Sequence, residues 1–103
     1  MGKNKKKKKI YKDCWNLDFA FLKWLNERLP VYKKEASQFI NLEYYTYIYN
    51  GEVKTQLQLL DRLIELTAKL VENDHYYDFE DSITEEVEEV LDIFKLIFTS
   101  LWW

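Results

Sequence analysis

Two glycines and one proline punctuate the whole 103-residue chain. Apart from Gly2, only Pro30 and Gly51 are there to break regular structure. A β-sandwich or barrel needs a tight turn after every short strand, and this chain lacks the residues to make them. Long helices are what remains. The apolar share is 48%, and eighteen aromatics (four Trp, eight Tyr, six Phe) supply bulk. Each aromatic can bury roughly 150–250 Å², so one small domain can build a dense core. Disordered chains are poor in such residues.

The periodicity predicts a mainly α, compact bundle of three principal helices. Asn16 suits an N-cap, and Asp18 suits the positive first turn. From there Leu17, Phe21, Trp24, Leu25, Arg28, Leu29 and Tyr32 follow one helical face. Trp15, Phe19 and Leu22 form a second face, so this helix should be covered on much of its circumference. Pro30 predicts a kink, after which Tyr32, Ala36, Phe39 and Ile40 carry the stripe to about residue 40. Residues 42–49 are the one β-like run, and Asn50-Gly51 is a hairpin turn signal. A small hairpin around 44–54 is therefore expected. Thr55-x-x-Gln58 is a capping box opening the second helix, with Leu59, Leu60, Leu63, Ile64, Leu66, Leu70 and Val71 as its core face. It should end near Asn73-Asp74. Ser82-x-x-Glu85 is a second box opening the last helix, whose stripe reads Ile83, Val87, Val90, Leu91, Phe94, Ile97, Phe98 and Leu101.

The net charge of −3 hides two blocks. Residues 1–12 hold seven lysines and no acid; residues 72–92 hold ten acids and no base. Residues 1–12 read as a flexible basic arm, and residues 13–103 as one helical domain with eight bases against eighteen acids, −10. Lys5, Lys6, Lys7, Lys8 and Lys9 are the candidate nucleic-acid contacts. Their affinity would be non-specific and salt-sensitive, and the acidic body would oppose it.

Catalysis is not expected. His75 is the single histidine and sits in an acidic loop. Cys14 is the single cysteine, read as a small buried hydrophobe. No phosphate-binding glycine loop, zinc-protease motif or nucleophile elbow occurs. Asp74, Asp78, Glu80 and Asp81 are close in sequence, but they lack the spacing and glycine of a calcium loop. No metal and no cofactor are expected. No apolar run approaches the roughly 20 residues of a membrane span, and no signal peptide is expected after the lysines. A lone cysteine fits a reducing, cytoplasmic setting.

The candidate interaction residues are Asp78, Glu80, Asp81, Glu85, Glu88, Glu89 and Asp92, with Tyr76, Tyr77, Trp102 and Trp103. Glu85, Glu88, Glu89 and Asp92 should share one solvent face of the last helix, about 5–6 Å apart. That is close to the phosphate spacing of a nucleic-acid strand, so a protein with a basic surface is the expected partner. Tyr44, Tyr45, Tyr47 and Tyr49 add aromatic surface of the kind interfaces use. Leu101, Trp102 and Trp103 are expected to dock into the protein's own core or into a homodimer or higher homo-oligomer, with a foreign partner as the alternative. A different class is a small-ligand binder that stacks a nucleotide base on Tyr or Trp and meets its phosphates with Lys23, Arg28, Lys33 and Lys34.

Cys14-Trp15-Asn16-Leu17-Asp18, then Phe21, Lys23-Trp24-Leu25, Arg28-Leu29-Pro30 and the Tyr49-Asn50-Gly51 turn before Thr55-Gln56, resemble small uncharacterised proteins of tailed bacteriophages. The resemblance spans residues 14–60. It implies a phage or mobile-element origin and a bacterial cytoplasm. Small acidic phage proteins often inhibit host defence proteins, CRISPR nucleases among them, so the resemblance implies an inhibitor of that kind.

Overall fold

The computed structural model describes residues 2–72 and 81–103, with side chains from residue 7 in the first stretch and from residue 85 in the second. In order, the elements are α1 (Gly2–Trp15), α2 (Leu17–Ala36), the strands β1 (Thr46–Tyr49) and β2 (Glu52–Thr55), α3 (Gln56–Val71) and α4 (Asp81–Ile97). A 3₁₀ turn, Phe98–Ser100, follows. The protein is mainly α with a small antiparallel hairpin.

α3 is the central element, with α2 packed along one side and α4 along another. Its Leu59, Leu60, Leu63, Leu66 and Leu70 are all buried. α2 meets them with Leu22, Leu25, Leu29 and Ala36, and α4 with Val90, Ile93 and Ile97. Buried Thr67 satisfies its hydroxyl by donating to the Leu63 carbonyl at 2.9 Å.

The hairpin sets where α3 begins. Asn50 (φ 52°) and Gly51 (φ 77°) both take positive φ in a two-residue turn, the geometry that suits strand twist. Tyr49 then pairs with Glu52, and Thr46 with Thr55. Thr55 ends β2 and caps α3. Its Oγ1 accepts from the Gln58 N–H at 3.1 Å, and its own N–H donates to Gln58 Oε1 at 2.9 Å. The Gln56 N–H donates to the Tyr45 carbonyl and the Leu57 N–H to the Leu42 carbonyl. The helix start, whose N–H groups have no intrahelical acceptor, is thereby tied to the preceding loop.

A second junction gathers the chain's far end. Gln56 is fully buried, and its Nε2 donates to the Ser100 carbonyl at 3.0 Å. The Tyr32 hydroxyl donates toward the Trp102 carbonyl at 3.0 Å, and the Tyr47 hydroxyl meets Ser100 Oγ. Burial pushes the Tyr32 phenol above its ordinary pKa.

Residues 2–12, expected as a basic arm, are helical and form part of α1, as suits lysine, a good helix former. Three expectations are corrected. Cys14 is exposed because the outer sides of α1 are uncovered. α2 runs through Pro30 but ends at Ala36, not near residue 40: the Gln38 and Phe39 N–H groups turn back to Glu35 and Ala36 in tighter i→i+3 bonds. α4 is already helical at Asp81, one residue ahead of the expected cap Ser82. The end of α3 at Val71, with Glu72 as its C-cap, is close to the expected Asn73-Asp74.

Leu63→Ala should cost about 3 kcal/mol of unfolding free energy, the usual range for a buried leucine that leaves a cavity. Thr55→Ala should cost about 1 kcal/mol through the lost cap. Urea titration followed by circular dichroism measures both.

Candidate functional site

α2 carries two apolar stripes, and α3 buries only one of them. Leu22, Leu25, Leu29 and Ala36 go inside, while Leu17, Phe21 and Trp24 remain 62%, 37% and 49% exposed. The expectation that Leu17, Phe21 and Trp24 share a buried face with Leu25 and Leu29 is thus corrected. α4 likewise buries a different face from the expected one. Ile93, absent from the expected stripe, is buried, whereas Leu91 and Phe98 are 52% and 59% exposed.

The two exposed sets meet through half-buried Phe94. The Phe21 ring packs edge-on against Phe94 with centroids 5.8 Å apart, and Phe94 packs edge-on against Phe98 at 5.2 Å. An aromatic line therefore crosses from α2 to α4 at the surface. Near the α1–α2 junction it opens into a groove lined by Asp13, Leu17, Ala20, Phe21 and Trp24. Farther along α2, the Arg28 guanidinium lies 4.6 Å from the Trp24 ring centre, a cation–π contact.

The acids of α4 divide between fold and solvent. Glu89 turns toward α3 and receives a bidentate pair from Arg62, Nε to Oε2 at 2.7 Å and Nη2 to Oε1 at 2.9 Å. This hydrogen bonding holds the Glu89 carboxyl below its ordinary pKa and the Arg62 guanidinium above its own. Burial, then the negative charges of Glu89 and Asp92, push the Tyr49 phenol up. Glu86 pairs with Lys69 at 2.7 Å. The expected solvent row of four acids is corrected to three, because Arg62 faces Glu89 from α3. Glu85, Glu88 and Asp92 stay exposed and make no ion pair among the described residues.

The other candidates scatter. Tyr76, Tyr77, Asp78 and Glu80, with Asp74 and His75, lie outside the described residues, as does the side chain of Asp81. Trp102 and Trp103 are both more than half exposed, and Trp103 rests on Tyr32 and lies parallel to Phe39. Tyr47 and Tyr49 pack against the core, whereas Tyr44 and Tyr45 face solvent as an edge-to-face pair. Lys5 to Lys9 all lie on α1, and the side chains of Lys7, Lys8 and Lys9 are exposed.

No protein-family model, curated protein or solved structure matches this chain. The reading of its surface rests on its own residues. Among the described residues, no three of His, Cys, Asp and Glu gather as metal ligands, and no helix is long and apolar enough to cross a membrane. Of the four cations proposed for phosphates, Lys33 and Lys34 share an open cleft of about 700 Å³ with Phe39. Lys33 is bound to Asp61, and Glu43 brings a negative charge to the same cleft. Arg28 lies on Trp24 and pairs with Glu27. The cleft is a poor cradle for an anion. The feature that sequence reasoning missed is the outward aromatic line. Its signal was the second apolar stripe of α2, which one neighbouring helix cannot cover.

Glu89→Gln should lower stability by about 1 kcal/mol at neutral pH, the scale of a half-exposed bidentate pair. A lowered carboxyl pKa stabilises the fold above the unfolded-state value and ceases to do so as pH falls through the folded-state value. The gap between variant and parent should therefore close as pH drops below about 4.3, measured by urea unfolding across pH.

Proposed function

We propose that this chain is a stoichiometric binding protein that occupies a basic surface of a host protein and makes or breaks no bonds. The observation that carries this reading is the exposed set Leu17, Phe21, Trp24, Phe98 and Leu91, with the exposed acids Glu85, Glu88 and Asp92, which make no ion pair among the described residues. Contiguous apolar surface next to polar residues is where proteins bind partners. The buried rings supply affinity, and the acids supply on-rate and orientation toward a positive patch. A nucleic-acid channel is a positive patch of this sort, and an acidic helix laid into it would exclude the strand. The resemblance of residues 14–60 to tailed-phage proteins supports a host defence protein, such as a CRISPR nuclease, as the target. The bacterial cytoplasm is then the place of action.

The test is phage plating on a bacterium with an active, programmed CRISPR nuclease. Expression of the chain should raise plating efficiency. Glu85→Lys with Glu88→Lys and Asp92→Lys, and separately Trp24→Ala with Leu91→Ala, should each remove about tenfold or more of that gain, equivalent to 1.4 kcal/mol of binding. Helical circular dichroism should stay unchanged. Full protection by the charge-reversed chain would rule out the acidic rim as the contact.

A further inference from the structure

We infer that the chain self-associates as a two-fold dimer in which α1 of each protomer lies along the α2–α4 face of the other. α1 is the starting point. Its 14 residues make a rod about 21 Å long. An isolated helix of that length is marginal in water. Lys5 and Lys9, and Lys8 and Lys12, stand at the i,i+4 spacing, where like charges repel. A helix built this way needs a partner, and its own chain supplies little. Every described side chain of α1 is exposed, and none of Lys7, Lys8, Lys9 or Lys12 forms an ion pair among the described residues.

α1 also has an apolar side. Ile10, Tyr11, Cys14 and Trp15 follow i, i+1, i+4, i+5 spacing, and the Tyr11 and Trp15 rings meet edge-on at 5.6 Å. Ile10, Tyr11 and Trp15 are each more than half exposed. A basic helix with an uncovered aromatic side calls for an acidic surface with an uncovered aromatic side. The body of this same molecule carries one, in Phe21, Trp24, Leu91 and Phe98 beside Glu85, Glu88 and Asp92. A nucleic acid would answer the lysines but leave the apolar side of α1 wet. A second copy answers both. Because arm and face belong to one chain, one two-fold rotation satisfies both contacts at once and closes the assembly.

The inference uses the surface of the proposed function but does not require a foreign partner. In the dimer, α1 of the second copy stands where a basic target would, so a target has to displace it.

The test is the mass of the full chain by sedimentation at high micromolar concentration and low salt. The parent should run at twice the chain mass. An arm variant (Lys7, Lys8, Lys9 and Lys12 each to Glu) and a face variant (Glu85, Glu88 and Asp92 each to Lys) should each run as monomers. Mixed one to one, they should return to the dimer mass, because each reversed arm then meets a reversed face. A monomeric parent, a dimeric single variant, or a mixture that stays monomeric would overturn the inference. The arm variant keeps its face intact, so its phage protection reports on the proposed function alone. It should protect at least as well as the parent.

Discussion

A single sixteen-residue helix has to serve two neighbours, and most of this molecule's character follows from that. α3 is about 24 Å long, and its five buried leucines lie in one core with residues of α2 and α4. Each neighbour can place one stripe against it. α2 brings two stripes and α4 brings a broad one, so the apolar residues beyond the first stripe stay in water. The aromatic line of Phe21, Phe94 and Phe98 is what such a surplus looks like when the two helices stand near each other. The exposed apolar surface is a by-product of how little room the core has.

The acids show the same economy of position. Successive residues of a helix are about 100° apart, so neighbours in sequence serve different masters. Glu86 and Glu89 face α3 and meet Lys69 and Arg62, which joins the two helices electrostatically. Glu85, Glu88 and Asp92 face away. A run of like charges in the sequence is therefore two populations in the fold, one structural and one open to solution.

What was legible in the sequence was whatever depended on residues a few positions apart. The Thr55–Gln58 box and the Asn50-Gly51 turn are local, and each stands where the residues said it would. α2 also begins after Asn16, but α1 precedes it and the Asn16 side chain makes no cap hydrogen bond. The choice between α2's two stripes was not legible. Periodicity says that a residue is on a face, and only the packing of α3 says which face is inside. Arg62 and Glu89 lie 27 positions apart and Gln56 and Ser100 lie 44 apart, so nothing local announced either contact. The helical state of α1 was hidden for another reason: its composition predicts both solubility and good helix propensity, and charge alone was taken to favour the coil.

The long reach from Gln56 to Ser100 bears on how the molecule comes into being. A fully buried side-chain amide at the head of the central helix takes its carbonyl partner from a residue 44 positions later in the chain. Until that residue has emerged, the amide has no reason to leave water, and the corner where Tyr32 and Tyr47 also converge stays unlatched. The leucines of α2 and α3 can pack against each other without this contact. Closure of this corner is thereby coupled to the arrival of the Phe98–Ser100 turn.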